Sequence, residues 1–249
     1  MLKTLLTGLL LSPFWLYSQI VNIESLRLQK DSSGLSGQEI FNFKITRNTT
    51  RLYEINNNLA VQYRQSRHIV LFLSNLNFTF SENTDFERNG FFHARYNYVQ
   101  NDWLTYEYFN QYQIDIPLRI KERILTGLGP RFSFLNKKPV KFILGTLVMY
   151  EYDEELRNDI VHRDFRLSSY ISLGYKNERQ SLTALVYYQP RLDFWSDFRT
   201  SGQLQWLVKV WKGFALNITG VLAYDAFPVE DAAIPQLTYK LLNGVSYTF

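Results

Sequence analysis

The sequence predicts an all-β protein, an antiparallel transmembrane β-barrel of about 12 strands, with roughly 10–14 allowed by boundary errors of a few residues. Three observations carry this expectation. Apolar and polar residues alternate with period two along most of the 249-residue chain, the pattern of strands that meet a different solvent on each face. Linkers between the alternating segments are longer and shorter in turn, as in bacterial barrels with short periplasmic turns and longer outer loops. Finally, the chain ends Val245-Ser246-Tyr247-Thr248-Phe249, an alternating strand that finishes on an aromatic.

The elements follow in order. Residues 1–18 read as a signal peptide, with Lys3 as a short basic start, an apolar run through Leu16, and Ser18 as the small residue at the cleavage point. That run is too short to cross a bilayer as a helix, so membrane residence must use strands. Residues 19–37 are expected as a periplasmic arm or an extra strand, turning at Lys30-Asp31-Ser32-Ser33-Gly34. The barrel is expected over 38–249. Its alternating segments lie at 41–45, 53–63, 70–80, 92–98, 104–115, 123–134, 141–151, 165–175, 182–191, 203–210, 214–225 and 236–249. Linkers near 82–90, 116–121, 153–162, 193–198 and 227–235 are the longer set, and the linker near 46–50, which should belong with them, is short. An even strand count then puts both ends of the barrel on the side of the short turns.

Composition narrows the function. The chain has no Cys and three His, which removes disulfide scaffolds, thiolate metal sites and Cys nucleophiles. Aromatics reach 16%, and Tyr53, Tyr63, Tyr150, Tyr175, Tyr188 and Tyr224 fall near strand ends. Rings with a polar edge suit a lipid–water boundary. The formal charge of +4 is scattered without a basic block, so no nucleic-acid partner is expected.

The polar face carries the charge. Lys44, Glu54, Arg64, Arg95, Glu107, Asp115, Arg123, Arg131, Lys141, Glu151, Arg166, Arg191, Lys209, Asp225 and Lys240 share the parity of the lumen face. Ten of these fifteen are basic, so a conducting lumen is expected to lean toward anions. Side chains this large could equally interlock and close so modest an interior. Gly127, Gly129, Gly145 and Gly174 read as wall curvature or tight packing.

The segment from Gly34 to Leu135 resembles the bacterial domain-of-unknown-function family that includes the salt-induced outer-membrane protein. The resemblance rests on Gly34-Leu35-Ser36-Gly37 and on the glycine-rich Leu125-Thr126-Gly127-Leu128-Gly129-Pro130-Arg131-Phe132. It implies an outer-membrane barrel, sometimes linked to osmotic or salt stress, and supplies no catalytic residues.

A hydrolase is the competing class. Lipid-cleaving barrels place His and Ser two apart on one strand; His68, His93 and His162 lack that Ser. A rim protease would use acids and a His to activate water, and Glu151, Asp153, Glu154, Glu155, Asp159, His162 and Asp164 cluster near one outer loop. The same acids read as a solvated loop, or as a weak site for divalent cations at Asp153, Glu154, Glu155 and Asp159. The expected function is a non-enzymatic outer-membrane protein without cofactor or metal, either structural and stress-responsive or a narrow solute conduit. Its expected partners are outer-membrane lipids, lipopolysaccharide and the barrel-assembly machinery, which would read Val245, Tyr247 and Phe249.

Overall fold

The computed structural model describes residues 33–47, 51–81, 87–137, 139–156, 160–211, 213–229 and 234–247. Among them are twelve strands and no helix: β1 (Gly34–Arg47), β2 (Arg51–Gln65), β3 (His68–Ser81), β4 (Glu87–Val99), β5 (Leu104–Asp115), β6 (Ile120–Lys137), β7 (Val140–Glu155), β8 (Val161–Lys176), β9 (Gln180–Pro190), β10 (Phe198–Trp211), β11 (Phe214–Asp225) and β12 (Leu237–Tyr247). They form one sheet in chain order, every neighbour antiparallel. Each expected segment falls on a separate strand, because period two survives in all of them.

The sheet is rolled. The Tyr170 hydroxyl on β8 donates to Glu107 Oε2 on β5 at 3.0 Å. Three strand spacings of about 4.8 Å would hold them far apart on a flat sheet. The edges β1 and β12 pair only with β2 and β11 among the described residues, and β1 is exposed along most of its length.

Register decides which side chains face inward. Arg95 lies opposite Leu71 and Phe109, Glu107 opposite Gly129, and Arg123 opposite Gln113 and Asp153. All fifteen charges expected on the lumen face do share that face. Enclosure is less general. Lys141 and Lys209 are exposed, while Lys240, Arg131 and Arg191 are half-buried.

Several boundaries move. β1 starts at Gly34, so residues 34–37 belong to the sheet and not to an arm; the signal segment and residues 19–32 lie outside the described residues. β7 runs to Glu155, which shortens the expected loop 153–162 to 156–160. Asp153 and Glu155 therefore point inward and are buried, whereas Glu154 points outward to Lys121. Strand parity separates the three acids across the two faces of the sheet. Among the described residues no group of three His or acids could hold a metal, so the expected cation loop is not assembled there. Asp159 and Phe249 lie outside the described residues.

The short connections show why they turn. Asn101 Oδ1 accepts from the backbone N–H of Trp103 and Leu104, and Asn177 Oδ1 from Arg179 and Gln180. These are Asn side chains standing in for backbone at a tight reversal. Between β2 and β3 the turn instead holds Ser66 at φ 52°, a left-handed conformation that costs a residue with a Cβ roughly 1–2 kcal/mol. Replacing Ser66 with Gly is expected to raise the unfolding midpoint of the refolded chain in urea by an amount equivalent to about 1 kcal/mol; a lowered midpoint would show that the Ser66 side chain contributes more than its strain costs.

Candidate functional site

The interior holds two polar layers. The first, midway along the strands, is built on β4, β5 and β8. His93 Nε2 accepts from Arg95 Nε at 3.2 Å, and its Nδ1 lies 3.0 Å from Gln111 Oε1. Arg95 also reaches Glu107 at 3.4 Å and lies over the Phe109 ring at 5.6 Å. Arg131 approaches the second oxygen of Glu107 at 3.9 Å.

Aromatic rings seal this layer. Phe109, Leu147, Met149, Tyr170, Leu185 and Tyr187 form one buried cluster contributed by β5, β7, β8 and β9. Two glycines make room for it. A Cβ on Gly127 would sit 2.5 Å from the Phe109 ring, and one on Gly145 would sit 2.1 Å from the Tyr170 ring. Here Gly serves a close approach, not a turn. A second cluster of Leu71, Leu73 and Phe91 fills the side toward β3. Beside it an asparagine ladder joins Asn58, Asn75, Asn77 and Asn89.

The second layer lies nearer the longer linkers and is ionic. Glu151 on β7 meets three guanidiniums: Arg166 at 2.6 Å, Arg123 at 3.1 Å, and Arg199. Each of those arginines holds a further carboxylate. Arg123 pairs with Asp153, Arg166 with Asp197 at 3.0 Å, and Arg199 with Asp225 at 2.9 Å. Arg191 extends the chain by joining Asp197 at 3.3 Å, Asp164 at 3.5 Å and Asp193 at 2.8 Å. In the linker after β9, the Arg191 hydrogen bond holds the Asp193 carboxyl down at about 2. His162 closes the rim against Glu155 at 2.9 Å.

The charge balance reverses the expected one. Among the described residues the buried charges are four arginines (Arg95, Arg123, Arg166, Arg199) and seven carboxylates (Glu107, Asp115, Glu151, Asp153, Glu155, Asp197, Asp225). The expected basic surplus came from Lys44, Arg64, Lys141, Lys209 and Lys240. These sit toward the short turns or on β1, β2 and β12, outside the enclosed layers. Asp153, Asp197 and Arg199 were absent from the expected lining. Parity with Glu151 and with Gln203 and Gln205 would have revealed the first and last, had β7 and β10 been extended. Asp197 lies in a linker, where parity says nothing.

Above the ionic layer opens a cavity of about 430 Å³. Its floor holds Arg123, Glu151, Asp153, Arg166, Arg199 and Asp225, and its walls include Leu118, Ile120, Phe194, Phe227 and Ile234. The chemistry this arrangement supports is binding and cross-linking. Each described His is engaged by a neighbour: His68 by Tyr96, His93 by Gln111 and Arg95, His162 by Glu155.

Truncating either device should be measurable. Glu151→Gln leaves three buried guanidiniums short of a partner and is expected to cost about 3–5 kcal/mol of unfolding free energy. Gly145→Leu drives a side chain into the Tyr170 ring and is expected to cost about 3 kcal/mol from overpacking and the lost bond to Glu107. Gly220→Ala, with nothing within 4 Å of the added carbon, is the control and should leave the midpoint unchanged. Equal effects at Gly145 and Gly220 would refute the socket.

A family model described as "Protein of unknown function, DUF481" matches residues 42–242 of the chain. No curated protein matches the chain at a significant level.

Proposed function

The chain belongs to the DUF481 family, and we propose, from that premise and from its filled interior, that it is a non-enzymatic β-barrel of a bacterial outer membrane with a structural role in the envelope. One observation carries the reading: the rolled sheet is apolar outside and ionic inside. Its outer face exposes Val70, Phe72, Leu128, Val148, Ile171, Val186, Leu204, Leu222 and Leu241, a continuous apolar band of the kind soluble monomers avoid. Aromatics border that band on both sides. Toward the short turns Trp103, Phe132, Phe134 and Phe142 pack in a row with centroids 5.4–6.0 Å apart. Toward the longer linkers Tyr188, Phe198 and Tyr224 do the same at 5.6 Å. Two girdles around an apolar belt are what a bilayer selects.

Pairing of β1 with β12 would complete the barrel, since the two strands run antiparallel in a sheet of even number and leave no edge in lipid. The C-terminal residues Val245, Tyr247 and Phe249 would serve the assembly machinery, and the outer rim would meet lipopolysaccharide. A response to salt or osmotic stress fits a barrel stiffened by ion pairs, which salt screens at the exposed rim more than in the buried layer.

The filled interior favours a closed barrel over a conduit. Refolded full-length chain is expected to show heat-dependent gel mobility and no steady conductance in a planar bilayer. Tyr170→Ala combined with Arg95→Ala should open a leak that prefers cations, because carboxylates outnumber arginines in the buried layers. Steady anion-selective current from the wild-type chain would overturn the closed reading. A phospholipase or protease activity abolished by His162→Ala would favour the hydrolase instead.

A further inference from the structure

We infer that β1 closes on β12 of the same chain in one register, which sets Ile40 opposite Leu242 inside the barrel and Glu39 opposite Asn243 outside. This register rests on the barrel reading above and fixes how its two edge strands meet. Parity restricts the alternatives to slips of two residues, since an inward row must meet an inward row. The inward row of β1 runs Gln38, Ile40, Asn42, Lys44 and Thr46, and that of β12 runs Thr238, Lys240, Leu242 and Gly244.

Each edge strand carries one misfit on each face. Ile40 and Leu242 are large apolar side chains in otherwise polar or small inward rows, and they stand 46% and 38% exposed. Outside, Glu39 interrupts the apolar row of Leu35, Phe41, Phe43 and Ile45, and Asn243 interrupts that of Leu237, Tyr239, Leu241 and Val245. One register matches both misfits at once. Ile40 and Leu242 then cover each other. The Asn243 amide is placed to donate to Glu39 from the side opposite Asn57, whose Nδ2 already donates to Glu39 Oε1 at 3.0 Å. A carboxylate in an apolar row needs such donors. Phe41 meets Leu241 and Phe43 meets Tyr239, cross-strand pairs of the stabilising kind.

The neighbouring registers match neither misfit. A slip of two residues one way sets Lys44 directly against Lys240, a like-charge pair. The slip the other way sets Ile40 against Lys240 and Glu39 against Leu241. Strand tilt is a separate constraint. Partners followed from Gly34 across the sheet arrive level with Gln236, and in the inferred register Gly34 closes twelve residues further along the chain. At ~3.4 Å per residue and ~4.8 Å per strand that stagger tilts the strands by about 35°, at the edge of the roughly 35–45° found in barrels. The slip that opposes Glu39 to Leu241 would give about 30°.

The test is oxidative cross-linking of cysteine pairs in the refolded full-length chain, which has no Cys of its own. Asn42→Cys with Lys240→Cys, and Phe41→Cys with Leu241→Cys, sample the two kinds of ladder position in the inferred register. Lys44→Cys with Lys240→Cys, and Ile40→Cys with Lys240→Cys, sample the slips. At least one inferred pair is expected to cross-link within the monomer in most of the folded chain, severalfold more than either slipped pair. Preferred cross-linking of a slipped pair within the monomer would overturn the register and leave the closed barrel standing. Cross-links between chains, or none in a chain without heat-dependent mobility, would overturn the closed barrel together with the register. No cross-link from any pair in a chain that keeps that mobility would overturn the register alone. If Lys240→Cys prevents folding, Phe41→Cys with Leu241→Cys against Phe43→Cys with Leu241→Cys decides, and a preference for the second sinks the proposal.

Discussion

Glu151 is one carboxylate shared by three arginines on three different strands, β6, β8 and β10, and the ionic half of the interior depends on it. Three guanidiniums around one anion would repel each other if nothing else were near. Asp153, Asp197 and Asp225 prevent that by taking the outer side of each arginine. The result is a chain of alternating charge that runs from Asp225 through Arg199, Glu151, Arg166 and Asp197 to Arg191. Its Glu151–Arg199 link ties β7 to β10, which share no backbone hydrogen bonds, and so helps to hold the roll of the sheet as well as the sheet itself.

Filling the interior with apolar side chains would also close it, and in a buried site could be as stable. The ionic solution has a second consequence. Every strand has an apolar outer face, so only the inner face distinguishes one register from another. A slip by one residue would carry arginines and carboxylates to the outer face, away from the partners that compensate their charge. The charged lumen thus specifies register along β5 to β11. Toward β1 and β2 that pressure weakens, since Lys44 and Glu54 form an exposed pair.

The aromatic layer works differently. Phe109 and Tyr170 cross the interior only because Gly127 and Gly145 lack side chains beneath them. Close packing leaves a ring no intermediate position. The polar atoms of the layer are then arranged by the rings: Tyr170 brings its hydroxyl to Glu107, and Phe109 packs against both His93 and Arg95. Both ring nitrogens of His93 are engaged within that arrangement, by Arg95 and Gln111.

The sequence by itself determined the strand number, the antiparallel order and the inward parity of the charges, because period two is a local property and each strand states it independently. It also marked Gly127 and Gly145 as positions of wall curvature or tight packing, without choosing between the two or naming their partners. Parity was misleading where strand ends were drawn short: Asp153 and Glu155 read as loop acids, although both continue the inward face of β7. The tertiary structure alone decided which charges are enclosed. Enclosure depends on height along the rolled sheet and on partners more than a dozen residues away, such as Arg199 for Glu151. That distinction turned an apparent surplus of base into a buried surplus of acid, since Lys141 and Lys209 share the face of Glu151 and yet stand in the open.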